Sequence, residues 1–216
     1  MSNTITFEDA RQEGIILPDH YLEVTAPRSR KVIMTEKETG FEKTQKFTVK
    51  SGKKHLWRIS EDFKLLGNPT KEGLTLCGHV GFEQGPNTMN RIIRELYDMS
   101  NVFEKTKACS LPEKDYFFFH PQSEYETEKK YSHPDDIHME YWLSSRCVED
   151  SGMHVEFNVF IVYHSMVCCS SLHETSWRED YNTYAIRPEA TPTATLLLER
   201  DGCDGSKEKP WKCLSK

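Results

Sequence analysis

Several short segments of the chain alternate apolar and polar residues, which is the pattern of strands that bury one face. The longest such segment is 154–163. Its predicted buried face consists of every second residue: Val155, Phe157, Val159, Ile161 and Tyr163. Glu156 and Asn158 are predicted on the opposite face. Elsewhere in the chain, the composition of residues 50–53 predicts a hairpin-like turn. Apolar runs bounded by polar turns predict further strands at 31–34, 46–49, 56–59, 74–78, 166–171 and 195–199.

A helical period is clearest between residues 86 and 99. Its apolar residues recur at helical spacing: Met89, Ile92, Ile93, Leu96 and Tyr97. Pro86 suits the first helical position of this segment. A shorter helix is predicted before Gly14, because Thr6 can cap it and Asp9 then takes the third helical position.

The order of these elements predicts the fold class. Many short strands with one good amphipathic helix do not alternate as βαβ units would, so we expect a single α+β domain. This domain is predicted to span residues 1–199. Residues 200–216 are rich in turn-forming and polar residues and are predicted to form a polar C-terminal tail.

Composition and charge narrow the class of protein. The chain has 34 acidic against 28 basic residues and a net charge of -6, which argues against charge-driven binding of nucleic acid. The 11 Phe, 9 Tyr and 4 Trp argue against disorder. The first residues lack the basic and apolar regions of a secretion signal, and no apolar run approaches the roughly 18–20 residues of a membrane span. We therefore expect a protein that is cytoplasmic when made and has no membrane partner.

The string YWLSSRCV, residues 141–148, is the most specific of several short motifs. The others are Trp57-Arg58, Gly81-Phe82 with Gly85, Leu96-Tyr97 and Ile186-Arg187-Pro188. With these motifs the chain resembles, over about residues 40–199, an uncharacterised domain family of gut Firmicutes and their phages. That family is similar to the C-type-lectin-like fold that formylglycine-generating enzymes share with lectin-like modules.

The resemblance implies a compact C-type-lectin-like α+β domain with short antiparallel strands and long loops. It does not imply one activity, because this fold hosts enzymes, receptors and structural modules. The chain departs from the family pattern after Arg187-Pro188, where Pro192 is predicted to displace or interrupt the last strand.

Three residues of the family motifs are candidates for a binding site: Trp142, Arg146 and Arg187. The favoured alternative is structural, with Trp142 in the core and the arginines bonded to loop carbonyls. Residues 120–140 are charged, contain prolines and lack periodicity, which predicts a long surface loop. Tyr125 and Tyr131 in that loop could form a recognition strip, although a solvated loop is the favoured interpretation.

The same loop holds the strongest metal-like cluster of the sequence, with His133, Asp136 and His138 as candidate ligands of a divalent metal. Asp135 and Glu140 lie beside them. The spacing matches no known metal motif, and ordinary turn chemistry is the favoured explanation. No other cofactor is predicted.

Seven cysteines without repeated spacing predict reduced thiols. Cys168 and Cys169 are adjacent in a predicted strand, so we expect their side chains on opposite faces. Cys203 and Cys213 in the polar segment are the cysteines predicted to be most exposed, and buried free thiols are the favoured alternative to any catalytic role.

These features favour a non-enzymatic binding or structural module, specifically a phage virion protein such as a capsid decoration, head-fibre or tail-associated protein. Its expected partners are other virion or surface proteins, a glycan, or further copies of itself. One alternative is an intracellular thiol- or metal-dependent enzyme of the formylglycine-generating type. Another is a cytoplasmic inhibitor that binds a protein. The enzyme alternative has no supporting motif, since the sequence contains no Walker, dinucleotide, G-x-S-x-G or C-x-x-C pattern.

Overall fold

The computed structural model describes residues 3–34, 44–70, 74–75, 84–111, 140–150, 152–153, 155–163, 166–171 and 183–214. These residues form fifteen strands and two helices. In chain order the elements are β1 (Thr4–Thr6), α1 (Phe7–Gln12), β2 (Tyr21–Thr25), β3 (Arg30–Met34), β4 (Gln45–Val49), β5 (Lys54–Ile59), β6 (Leu65–Leu66), β7 (Leu74–Thr75), α2 (Gln84–Leu96), β8 (Phe103–Ala108), β9 (Tyr141–Asp150), β10 (Val155–Tyr163), β11 (Met166–Ser171), β12 (Thr183–Ile186), β13 (Pro188–Pro192), β14 (Leu197–Glu199) and β15 (Trp211–Leu214).

The larger sheet has eight strands in the order β1-β14-β15-β2-β5-β6-β13-β8. All its pairs are antiparallel except β15 with β2. The second sheet has the order β11-β10-β9-β12-β7, in which only β12 and β9 run parallel. A separate hairpin pairs β3 with β4.

The main core lies where the two sheets, the β3–β4 hairpin and α2 meet. Trp57 of the larger sheet and Trp142 of the second sheet are each 1% exposed and belong to this core. A smaller apolar cluster covers the other face of the second sheet and includes Tyr141, Leu143 and Phe160. The middle of the second sheet is therefore buried on both faces.

Both helices form where the sequence predicts them. Thr6 caps α1, and its side-chain oxygen accepts a hydrogen bond from the backbone N–H of Asp9 at 3.1 Å. Four of the five periodic apolar residues lie within α2 and Tyr97 follows it directly, and all five are buried. The helix begins at Gln84 and ends at Leu96, so the predicted start at 86 and end at 99 are corrected by two and three residues.

Burial on β10 follows the predicted alternation only in part. Val159 and Ile161 are buried as predicted, whereas Tyr163, predicted on the same face, is 38% exposed. Asn158, predicted on the opposite face, is 3% exposed, and Phe160 and Val162 on that face are 2% and 1% exposed. Val155, predicted inside, is 55% exposed. The physical reason is that β10 is an inner strand with an apolar cluster on each face at its centre, so its burial follows position along the strand more than alternation.

Residues 50–53 form a turn in which Lys53 N donates to Lys50 O at 3.2 Å. This turn does not close a hairpin, because β4 pairs with β3 and β5 pairs with β2. The residues after Arg187 form β13, which pairs with both β6 and β8. Pro192 does not interrupt that strand; it coincides with an irregular register at the strand's end.

The predicted polar tail also needs correction. Residues 211–214 form β15, which lies between β14 and β2 in the larger sheet. Trp211 is 5% exposed and belongs to the main core. The polar composition of this segment did not indicate a strand, because only alternate residues of β15 are turned toward the core.

The strand-dominated architecture agrees with the expected α+β class in its coarse form, as two helices accompany fifteen strands in the described residues. The finer expectation of a C-type-lectin-like domain stays a prediction. Among the residues described, no helix combines the length and apolarity needed to cross a bilayer.

Candidate functional site

The end of the β9–β10 hairpin carries the candidate site. We call its described residues, 146–150, 152–153 and 155–158, the distal hairpin. The two strands pair antiparallel there, with Val148 opposite residue 157 and residue 150 opposite Val155. The pairing of β11 with β10 reaches only Asn158. The distal hairpin thus continues past the last described β10–β11 pair.

Apolar side chains are exposed on the distal hairpin. Val148 is 54% exposed, Val155 is 55% exposed and Met153, near the turn, is 87% exposed. Residues that face each other across a strand pair share a face, as do alternate residues of one strand, so Val148 and Val155 share theirs. Val159, on the same face of β10, is fully buried in the main core. The apolar core face therefore runs outward to the exposed Val148 and Val155. We call these two valines, together with the exposed Met153 near the turn, the exposed strip.

The turn of the distal hairpin includes a glycine in the left-handed region, Gly152 at φ +78°. A side chain at this φ is strained, so glycine suits the position. The sequence therefore has glycine where this turn requires it, with exposed apolar residues nearby.

The opposite face of this hairpin brings two cysteines together. Cys147 of β9 lies opposite Asn158, and Cys169 of β11 lies opposite Phe160. Both cysteines pack against the smaller apolar cluster. Their Sγ atoms are 3.0 Å apart. Sequence reasoning missed this pair, because it depends on the register of three strands.

Trp142 lies in the core as the structural alternative proposes. Its ring packs edge-on against Tyr184, with ring centroids 4.8 Å apart. Arg187 is only 4% exposed; its Nε donates to Gly67 O at 2.9 Å and its Nη1 to Tyr141 Oη at 3.3 Å. The guanidinium also lies 5.3 Å from the centre of the Tyr141 ring. These contacts favour a structural role for both residues.

Arg146 lies elsewhere, half-buried on the distal hairpin opposite Val159. The partners of Arg187 are on β9 and beside β6, so the contacts described do not join the two arginines in one site. The candidates Tyr125, Tyr131, His133, Asp136 and His138 lie outside the described residues, as does Asp135. Glu140 is described and half-buried. Within the described ranges, no group of three or more potential metal ligands occurs.

The remaining described cysteines are all at least partly buried. Cys168 packs against the main core and Cys169 against the opposite cluster, so the two side chains point to opposite faces as predicted. Burial, with a smaller effect of Glu23, raises the pKa of the Cys213 thiol well above its usual range. Cys203 is also half-buried. Cys203 and Cys213 pack against the main core, as Cys168 does, and all three are half-buried.

One charged cluster was not predicted. The carboxylate of Glu189 on β13 is 6% exposed and lies 3.3 Å from Lys107 Nζ and 3.7 Å from Lys64 Nζ. Ser110 N also donates to its Oε2, at 3.3 Å. Because the carboxylate is paired on several sides, the cluster explains how a buried charge is tolerated and leaves no evident site for a ligand.

No protein-family model, no curated protein and no solved structure matches the chain. The resemblance to the phage-associated domain family therefore stays a prediction.

Proposed function

We propose that the protein is a non-enzymatic binding or structural module, specifically a phage virion component, which makes protein contacts through the exposed strip of Val148, Met153 and Val155. The observation that carries the proposal is the continuation of the buried core face onto the distal hairpin. Grouped apolar side chains exposed to solvent are typical of interaction surfaces. The virion assignment draws its support from the family resemblance.

The strip has no catalytic chemistry. Its three side chains are aliphatic or a thioether, and they offer area to a partner but no acid, base or nucleophile. Full burial of such side chains stabilises by about 1.5–3 kcal/mol each, so covering what is exposed here contributes on the order of 4 kcal/mol per protomer.

A second copy of this chain is the partner that we propose. The three side chains of the strip carry no charge, so they do not repel the same side chains of a second copy across a two-fold axis. Two strips together contribute on the order of 8 kcal/mol, while association costs about 4–15 kcal/mol of lost motion. The contact is therefore weak between free molecules and becomes effective where an assembly holds many copies side by side.

Sedimentation velocity over a concentration series from micromolar to millimolar tests this contact. The weight-average mass of the unmodified protein should rise with concentration. A variant with Val148→Thr, Met153→Ser and Val155→Thr should stay monomeric, and threonine keeps the strand preference of valine. Ile33→Thr is the matched control, since Ile33 is a 48% exposed apolar residue on β3 and should leave association unchanged.

Two results would contradict self-association. One is a monomer over the whole concentration range, and the other is equal association by the triple variant and the control. The virion assignment has a separate test, co-sedimentation of the protein with purified phage particles from the source organism at a fixed ratio. If the protein is absent from the particles, the virion assignment is wrong. The sedimentation result alone then decides whether the strip mediates self-association.

A further inference from the structure

The pair formed by Cys147 and Cys169 has a geometry that ordinary strand packing does not give. The two residues are on β9 and β11, which flank β10. Strands two positions apart in a flat sheet are separated by roughly 10 Å. Their sulfur atoms are nevertheless 3.0 Å apart.

An irregularity in the β9–β10 pairing lies close to this cysteine pair. Between the pairs Arg146–Val159 and Trp142–Ile161, three residues of β9 lie opposite one residue of β10. Such bulges bend a strand and redirect its side chains. The bulge is held by the segment before residue 112: Ser144 N donates to Cys109 O at 2.8 Å, and Leu111 N donates to Ser145 Oγ at 2.8 Å. These contacts hold Ser144 and Ser145, which come shortly before Cys147 in the strand.

We propose that Cys147 and Cys169 are a thiol-oxidation site whose two thiols form a reversible intramolecular disulfide, with a low-molecular-weight disulfide such as oxidised glutathione as the oxidant. A disulfide bond is about 2.05 Å long, so the sulfur atoms need to approach by about 1 Å. This proposal does not depend on the proposed function.

The reaction is two successive thiol–disulfide exchanges. One cysteine thiolate attacks a sulfur of oxidised glutathione, the glutathione S–S bond breaks, and one glutathione thiolate leaves. The second cysteine thiolate then attacks the protein sulfur of the mixed disulfide and releases the second glutathione. The two cysteines lose two electrons, oxidised glutathione gains them, and the two cysteine protons pass to the released glutathione thiolates.

A metal fits the pair less well. Two thiolates on one tetrahedral zinc lie roughly 3.8 Å apart, given Zn–S bonds of about 2.3 Å. The observed 3.0 Å is shorter than this. The described residues also contain no group of three or more potential metal ligands. The geometry is thus closer to a disulfide than to a metal centre.

Oxidation has a structural consequence at the distal hairpin. The bond would join β9 to β11 across β10, at the point where the hairpin leaves the sheet. It closes a loop between residues 147 and 169, which restricts the unfolded chain. We expect the oxidised protein to have a melting temperature several degrees above that of the reduced protein.

The experiment uses the full chain, folded and fully reduced, then equilibrated in glutathione buffers of graded ratio. Free thiols are blocked at low pH, and the disulfide-linked peptides are mapped by tandem mass spectrometry. The expected product is an intramolecular link between Cys147 and Cys169. Cys147→Ser and Cys169→Ser should each abolish it. Cys168→Ser is the matched control, because it changes the neighbouring cysteine on the other face and should retain the link.

The wild-type map decides the question even if a variant fails to fold. A link between other cysteines, separate glutathione adducts on Cys147 and Cys169 without a bond between them, or no oxidation at ratios that oxidise ordinary vicinal dithiols would each overturn the proposal.

Discussion

The corner formed by His20, Gly205 and Trp211 shows what single residues contribute to the fold. His20 Nδ1 accepts hydrogen bonds from Leu17 N and from Trp211 Nε1, each at 3.3 Å. Gly205 has φ +81°, and a Cβ there would lie 2.4 Å from His20 Nδ1. The close approach and the left-handed backbone both require glycine. This corner joins the start of β2 to the segment that leads into β15.

We expect Gly205→Ala to lower the free energy of unfolding by roughly 2–4 kcal/mol, from backbone strain and from overlap with the imidazole. Urea denaturation measures the loss. Gly52→Ala is the matched control: Gly52 has φ +74° but nothing within 4 Å of the added carbon, so it should lose only about 1 kcal/mol. Equal losses in the two variants would contradict the steric argument.

His20 also predicts a pH dependence of stability. Burial lowers its pKa, and nearby Asp204 and Asp19 only partly offset this. Burial, assisted by Lys53, lowers the pKa of His55 as well. The unfolded chain therefore takes up protons near pH 6.5 that the folded protein does not. The stability these two groups contribute is complete above about pH 6.5 and is lost as the pH falls below it.

Urea denaturation at pH 7.5 and at pH 5.5 tests this dependence. The free energy of unfolding should be lower at pH 5.5, and His20→Asn should reduce the difference, since the Asn side-chain oxygen can still accept a hydrogen bond but does not titrate. The part of the pH dependence that comes from His55 should remain in this variant. An unchanged pH difference in His20→Asn would show that His20 is not a source of it.

At the scale of elements, the sequence predicts best what local interactions decide. The cap at Thr6 and the apolar period before Met99 predict both helices, because the residues that determine a helix are within a few positions of each other. Strands 31–34, 46–49 and 56–59 are also confirmed within one or two residues. Their partners could not be predicted, since pairing is decided by contacts with distant segments.

At the candidate site too, contacts with distant segments decide features of the distal hairpin that the local sequence cannot predict. Alternation predicted β10 but placed Val155 inside, because nothing in the local sequence tells where the neighbouring strand stops. The pairing of Cys147 with Cys169 depends on two registers and on a bulge in β9. These are tertiary features. The site residues taken from family motifs instead include two that are buried, Trp142 and Arg187.

At the scale of the whole molecule, the larger sheet places strands from the two ends of the described chain beside each other. β1 pairs with β14, β14 with β15, and β15 with β2. The strand β15 is thus the link between the β1–β14 pair and the other strands of its sheet. This arrangement conflicts with an autonomous domain that ends at residue 199, because such a domain would lack an inner strand.

Truncation after Arg200 tests which arrangement holds in solution. The shortened chain loses β15 and the nearly buried Trp211, and the β1–β14 pair loses its connection to β2. A buried tryptophan alone contributes about 3–5 kcal/mol, a large part of the 5–15 kcal/mol that stabilises a typical domain. We therefore expect no cooperative thermal unfolding transition for the truncated chain. Trp211→Ala, which keeps the strand, should unfold cooperatively at a lower temperature. If the truncated chain melts at the temperature of the full chain, residues 1–199 form the domain and β15 is dispensable.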